Sequence, residues 1–71
     1  APQDYKKAFS LFNKAAEQGY TEAQYYVGYM YAEGQGVLKS LKNASYWIKL
    51  AYDNNDPYAE DVWNHYELWK Y

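Results

Sequence analysis

Two groups of side chains in the last third of this chain could do chemistry. The first is His65, which stands beside Tyr66 and near Trp69 and could act as a general base. A base of that kind needs a nucleophile and an orienting partner, and neither can be named from the sequence. We therefore expect His65 to be a surface or hydrogen-bonded histidine, and we expect no catalytic residue.

The second group consists of four carboxylates, and paired acids can hydrolyse glycosidic bonds. These are Asp53, Asp56, Glu60 and Asp61. Asp56 precedes Pro57 and has the position of a helix cap. Glu60 and Asp61 suit the positive end of the helix that follows. These structural roles already account for the acids, so the sequence predicts that the protein is not an enzyme.

Composition excludes several other classes of function. The 71 residues contain one histidine and no cysteine, which argues against a metal site, and no motif calls for a cofactor. A net charge of −2 argues against a nucleic-acid or anionic membrane surface, because both need clustered lysine and arginine. No run is long and apolar enough to insert in a bilayer.

The chain is short, so something must reinforce its core. A domain of this size supplies only about 3–5 kcal/mol from its core. The sequence has 11 tyrosines, 3 tryptophans and 2 phenylalanines, and each large ring buries about 150–250 Å². Aromatic packing is therefore the expected source of stability.

Apolar spacing predicts a first pair of helices after a short lead-in at residues 1–3. Helix one is expected over Tyr5–Gln18, with Asp4 as its cap and Gly19 as its left-handed terminator. Its apolar stripe is Ala8, Leu11, Phe12 and Ala15. Helix two is expected over Thr21–Glu33. There Thr21 and Gln24 have the spacing of a capping box, and the interior Gly28 indicates a close helix contact.

A second pair follows a loop punctuated by Gly34 and Gly36. Val37 and Leu38 are expected to fold back and pack their apolar side chains against the helices. Helix three is predicted over Leu41–Asp53, with Ser40 as its N-cap. Helix four is predicted to begin at Pro57 and to run nearly to the end of the chain. Its apolar positions are Ala59, Val62, Trp63, Tyr66 and Trp69.

The two pairs are related by an internal repeat. A shift of 36 residues preserves small residues at helix-packing positions and brings the helix ends into coincidence. The identical pairs are Lys6 and Lys42, Ala8 and Ala44, Ala15 and Ala51, and Ala23 and Ala59. Helix one is thus equivalent to helix three, and helix two to helix four.

These motifs together resemble the Sel1-like repeat family, a relative of the tetratricopeptide repeats. The residues that carry the resemblance are Lys14-Ala15-Ala16-Glu17-Gln18-Gly19, Ala23, Val27-Gly28, Tyr31, Gly34-x-Gly36-Val37, Ala44 and Trp47. The resemblance implies an all-α fold, in which about four antiparallel helices stack as a short right-handed α-solenoid. It also implies a scaffold for protein–protein interaction, and it leaves the compartment open between bacterial periplasm and cytoplasm.

The resemblance further implies a division of the chain. One complete motif is expected at about 21–55, flanked by half repeats at 4–19 and 57–71. Asn64 and Glu67 depart from the glycine and tyrosine of the family pattern, so the last half repeat is expected to be a C-terminal cap. The repeats look incomplete at both ends. We therefore favour a fragment of a longer chain over a mature protein cut from a signal sequence.

By the same resemblance, helices two and four line the concave side of the solenoid, where a partner peptide or helix would bind. The expected partner-binding residues are Glu22, Tyr26, Tyr29 and Glu33 on helix two, and Tyr58, Val62, His65 and Trp69 at the equivalent positions of helix four. Exposed tyrosines are good anchors, and the two glutamates favour a basic or amide-rich ligand. For any single tyrosine, however, a packing role is the stronger expectation.

Two other functions stay open. Aromatic rings stack on sugar faces, so the chain could bind a glycan or another small ligand. Alternatively, it could be a structural spacer whose end faces stack on further repeats of a longer chain.

Overall fold

A computed structural model of the chain describes residues 4–71, and the predicted lead-in at residues 1–3 lies outside them. The described part is all-α, as predicted. Its helices are α1 (Tyr5–Glu17), α2 (Thr21–Glu33), α3 (Leu41–Asp53), α4 (Ala59–His65) and a C-terminal 3₁₀ helix (Leu68–Lys70). Across residues 4–71, no helix has both the length and the apolar character needed to cross a membrane.

Each helix packs on its neighbours along the chain: α1 on α2, α2 on α3 and α3 on α4, while the 3₁₀ helix rests on α3 and α4. Most of the buried apolar side chains form two clusters. The first, between α1 and α2, is Ala16, Ala23 and Val27; the second, around α3, is Ala32, Ala44, Ile48, Ala51, Ala59, Val62 and Leu68. This serial stacking of helical hairpins is the arrangement expected of an α-solenoid.

Three of the predicted helix ends are confirmed. The backbone N–H of Lys7 donates to the Asp4 carboxylate at 3.0 Å, and that of Asn43 donates to the Ser40 hydroxyl at 3.1 Å. Gly19 follows α1 with φ of +97°, a backbone conformation that glycine adopts without steric cost. Short-range capping therefore fixes both ends of α1 and the start of α3.

The predicted capping box at the start of α2 is wrong. The N-cap is Tyr20, which makes no side-chain cap, and Thr21 lies within the first turn. Gln24 is buried instead. Its amide donates to the carbonyl of Ala16 at 3.4 Å and accepts from Asn54 at 3.1 Å. A buried amide needs partners for both its ends, so Gln24 joins the ends of α1 and α3 across α2.

Gly28 confirms the predicted close contact between helices. A Cβ at this position would lie 2.6 Å from Cγ1 and 2.7 Å from Cδ1 of Ile48, and 3.1 Å from its backbone nitrogen. Only a residue without a side chain lets α2 approach α3 so closely.

Two apolar residues that were expected to pack are at the surface. Leu11 on α1 is 60% exposed, and Ala16 is buried in its place. Leu38 is 84% exposed, whereas Val37 is half-buried, so only one of these two loop residues packs as predicted.

Helix four is shorter than predicted at both ends. Asp56 accepts from the backbone N–H of Tyr58 at 2.8 Å, which forms a turn, so the helix begins two residues after Pro57. It ends at His65, because Glu67 adopts a left-handed conformation with φ of +53°. That reversal directs Leu68 into the core and leaves Trp69 at the surface.

Candidate functional site

A connected set of aromatic rings lies along one side of α2. Tyr26 stacks on Phe12 of α1, with ring centroids 4.8 Å apart, and contacts Tyr25 at 5.3 Å. Tyr25 in turn lies 6.2 Å from Tyr29 and 6.0 Å from Tyr58. We call these five residues the tyrosine surface. Each ring of this surface therefore packs against at least one other ring.

Local structure explains how the rings come together. Tyr25 and Tyr29 are one helical turn apart, so they share a face of α2. Phe12 reaches them because α1 packs on α2. Tyr58 is placed by the turn at Asp56, which precedes α4. The surface is therefore assembled from three consecutive elements rather than from one helix.

Two grooves border the tyrosine surface. The first, of about 560 Å³, lies between α1 and α2, and we call it the α1–α2 groove. It is lined by Asp4, Tyr5, Ala8, Phe12, Tyr26, Tyr29, Met30 and Gln35. Its walls are mostly apolar, with Asp4 as the one charged side chain at its edge. This groove can take apolar side chains.

The second groove, of about 320 Å³, lies between the start of α2 and the loop before α4, and we call it the α2–loop groove. It is lined by Thr21, Glu22, Tyr25, Tyr26, Asn54, Asn55, Asp56, Pro57 and Tyr58. Tyr26 lines both grooves and so separates them. The second groove combines rings with carboxylates and amides.

The structure brings some of the predicted partner-binding residues together. Glu22, Tyr26 and Tyr58 line the α2–loop groove, and Tyr29 joins Tyr26 in the α1–α2 groove. Tyr26 is 38% exposed and Tyr58 is 63% exposed. These four residues form one continuous surface.

The other four predicted residues lie elsewhere. Glu33 lines a separate, open hollow near Leu38. Val62 is only 7% exposed and belongs to the core. His65 packs edge-on against Tyr66 at 4.6 Å, and Trp69 is exposed on the 3₁₀ helix. Among residues 4–71, no ring contact joins His65 or Trp69 to the tyrosines of α2.

The prediction missed Tyr25, which touches three other tyrosines, and it treated Phe12 only as core. The spacing of Tyr25 and Tyr29 could have revealed the first, because residues four apart meet on a helix. Burial of the Tyr25 hydroxyl raises its pKa, and neighbouring Tyr29 and Asp56 add to the rise. The Tyr25 hydroxyl therefore lies in a partly desolvated and negatively charged environment.

The side chains at this surface are suited to non-covalent binding. Within residues 4–71, no three acidic or histidine side chains come close enough to hold a metal ion. Rings, hydroxyls, amides and carboxylates can stack on a ligand, exchange hydrogen bonds with it and attract positive charge. The site has the properties of a binding surface.

Comparisons with known proteins identify the family of the chain and two relatives. The Sel1 repeat family matches residues 1–20 and 21–56. Two curated relatives, DAP3-binding cell death enhancer 1 of Rattus norvegicus and of Mus musculus, are each 49% identical over 41 residues. The match covers 58% of this chain but 8% of each relative, so the chain spans a small part of their length. No solved structure matches the chain.

Proposed function

Since this chain belongs to the Sel1 repeat family, whose repeats mediate protein–protein interaction, we propose that it binds a peptide or helix of a protein partner on its tyrosine surface. The partner segment lies across Tyr26, with one part in the α1–α2 groove and another in the α2–loop groove. By analogy with other solenoids, this side is the concave one.

The observation that carries the proposal is the state of Tyr26. Its ring is stacked on Phe12 and held by Tyr25, yet 38% of the residue stays exposed between two grooves. A ring that is fixed before binding loses little conformational freedom when a partner covers it. Such pre-ordered aromatic residues supply most of the binding energy in many interfaces.

The relatives support a binding role in general terms. Their name describes them as DAP3-binding, so proteins that share a 41-residue stretch with this chain bind another protein. We infer that the shared stretch can serve the same purpose here, with a partner of its own.

Three of the remaining predicted contacts lie outside the tyrosine surface and its two grooves. We propose that Glu33, His65 and Trp69 contact the outer parts of a longer partner. The division into one complete motif at about 21–55 between half repeats at 4–19 and 57–71, the last acting as a C-terminal cap, is part of the same proposal. The exposed polar residues Glu60 and Asn64 on α4 support it, because the outermost helix of a solenoid faces water.

A pull-down from native lysate tests the proposal. The wild-type chain is compared with Tyr26→Ala/Tyr29→Ala and with the matched control Tyr46→Ala/Tyr52→Ala. Tyr46 and Tyr52 are exposed tyrosines of α3 that lie outside both grooves. Circular dichroism first establishes that all three proteins fold.

We expect a specific partner to bind the wild type and the control but not Tyr26→Ala/Tyr29→Ala. If both folded double variants capture the partner as well as the wild type does, the tyrosine surface is not where it binds, and the proposal is wrong.

The exposed face of α1 favours a second candidate, a structural spacer that stacks on further helices. Leu11 is exposed, while its equivalent Trp47 packs against the cluster of Ala16, Ala23 and Val27. A spacer with such an apolar end face should self-associate. Sedimentation of the chain over a range of concentrations tests this, and a monomer at the highest concentration would count against it.

A further inference from the structure

We propose that the α2–loop groove is a subsite for an arginine side chain of the partner. This inference rests on the proposed function and names the chemistry that one part of the surface recognises. The guanidinium lies against the rings of Tyr25, Tyr26 and Tyr58, and its N–H groups reach the carboxylates of Glu22 and Asp56.

The walls of the groove suit a flat cation. Tyr25 lies between Tyr26 at 5.3 Å and Tyr58 at 6.0 Å, with interplanar angles of 66° and 48°. The rings therefore present faces and edges in several directions around one hollow of about 320 Å³. A cation over such a face is attracted by the negative charge of the π system.

The charge of the groove is negative. Its two charged lining residues, Glu22 and Asp56, are both acids, and none of the seven lysines lines it. Within the described chain, Glu22 forms no hydrogen bond or ion pair through its carboxylate. The second acid, Asp56, uses one carboxylate oxygen to hold Tyr58 and has the other left for a ligand.

The positive end of the α2 dipole does not cancel the negative charge of the groove. Glu22 lies in the first turn of α2, where it offsets the partial positive charge of the helix N-terminus. That partial charge is only about half an elementary charge, so Glu22 leaves a surplus, to which Asp56 adds. Negative charge at the Tyr25 ring is also reflected in its raised pKa, to which Asp56 and Asp61 contribute after burial and Tyr29.

Arginine fits this groove better than lysine or an amide does. Its guanidinium is planar, so it can stack on a ring while its fork of N–H groups pairs with carboxylates. A lysine ammonium is a strongly hydrated point charge and cannot stack in this way. A glutamine amide could stack, but it brings no charge to match Glu22 and Asp56.

The α1–α2 groove provides a contrast within the same surface. Its one charged residue is Asp4, whose carboxylate accepts from the backbone N–H of Lys7 and caps α1. The rest of its lining is largely apolar. The partner segment is therefore expected to place apolar residues there and its arginine on the other side of Tyr26.

A chemical-shift titration of the full chain with N-acetyl-arginine amide tests the inference. The comparison ligand is the citrulline counterpart, which has nearly the same shape as arginine and no charge. A third titration uses the lysine counterpart. We expect arginine to shift the signals of Glu22, Tyr25, Tyr26 and Tyr58 and to bind more tightly than lysine, while citrulline causes no shift at the same concentration.

Glu22→Gln is expected to weaken arginine binding roughly two- to fivefold, the range of coupling measured for exposed ion pairs. The matched control is Glu17→Gln, which makes the same charge change at the exposed end of α1, outside the groove. Asp56→Asn keeps an oxygen for the turn at Tyr58 and should also weaken binding.

Equal shifts with citrulline and arginine, or equal losses from Glu22→Gln and Glu17→Gln, would overturn the arginine subsite. Neither result would touch the proposed function, because the pull-down depends on Tyr26 and Tyr29 and requires no arginine. Conversely, if the pull-down fails while arginine still binds selectively, the proposed function is wrong, and the α2–loop groove remains an arginine-binding site.

Discussion

Helices α2 and α4 occupy equivalent places 36 residues apart, and they differ in length and in what they expose. The first runs for 13 residues and the second for seven. α2 packs against both α1 and α3, whereas α4 packs on α3 and on the short 3₁₀ helix that follows it. Packing against neighbouring helices supplies most of the stability of a helix in a folded protein, so α2 is held from two sides.

Particular residues produce this difference. Gly28 of α2 lets Ile48 come into contact, whereas its equivalent Asn64 is exposed on α4. Tyr31 packs edge-on against Phe9 of α1 at 5.2 Å, while its equivalent Glu67 takes the left-handed conformation after α4 ends. The two helices therefore differ at the positions where α2 makes its close contacts with α1 and α3.

The comparison also explains the position of the candidate site. Tyr26 is exposed between two grooves, and its equivalent Val62 is buried. In α2 the outward ring adds to a surface built with α1 and with the loop before α4. In α4 the same position fills the core, so the tyrosine surface occurs once rather than twice.

Leu68→Ala should have the largest effect on the free energy of unfolding. Leu68 is fully buried where the 3₁₀ helix packs on α3 and α4, and loss of a buried leucine costs about 2–5 kcal/mol. The matched control, Leu38→Ala at a highly exposed leucine, should change stability by less than about 0.5 kcal/mol. Urea unfolding measures both, and an equal effect of the two would mean that the 3₁₀ helix does not close the end of the core.

Gly28→Ala should destabilise the domain by about 1–3 kcal/mol, because the new Cβ would overlap Ile48. Asn64→Ala is the equivalent change on α4 and should stay within about 0.5 kcal/mol. Adding Ile48→Val, which removes Cδ1, should recover part of the loss from Gly28→Ala. If the two alanine variants were equally stable, the closeness of α2 and α3 would not be what distinguishes these helices.

Tyr25→Phe should have the smallest effect, visible only at high pH. The folded state raises the pKa of Tyr25 above its ordinary 10.0, so the folded chain holds this proton more tightly than the unfolded chain does. Stability is therefore retained below pH 10 and falls as pH rises through the folded pKa. Between pH 7 and about pH 10.5, the free energy of unfolding of the wild type should fall by more than that of Tyr25→Phe. Equal losses of stability in the two proteins would mean that other tyrosines cause the pH dependence.

Much of the fold was predictable because it depends on local chemistry. The caps at Asp4 and Ser40 and the glycine after α1 act within a few residues, so their patterns can be read directly. Gln24 was misread because its partners Ala16 and Asn54 are 8 and 30 residues away. Helix four was predicted too long because its end depends on the conformation of Glu67, for which the sequence carries no glycine signal.

The candidate site was predictable only in part, for the same reason. Spacing along α2 indicates which residues share a face, so Tyr26 and Tyr29 could be named together. It does not reveal that Phe12 of α1 stacks on Tyr26 or that Tyr58 approaches Tyr25. Those contacts depend on the packing of three elements, which no periodicity within one helix can describe.

Tyrosine footprinting of the chain with its captured partner tests the central claim most directly. Chemical modification of each tyrosine is measured by mass spectrometry in the free and bound states. The account predicts that Tyr26 and Tyr58 become protected, while Tyr46 and Tyr52, which are also exposed when free, react as before. Protection of Tyr46 and Tyr52 with unchanged reactivity at Tyr26 and Tyr58 would place the partner on α3 and contradict the account.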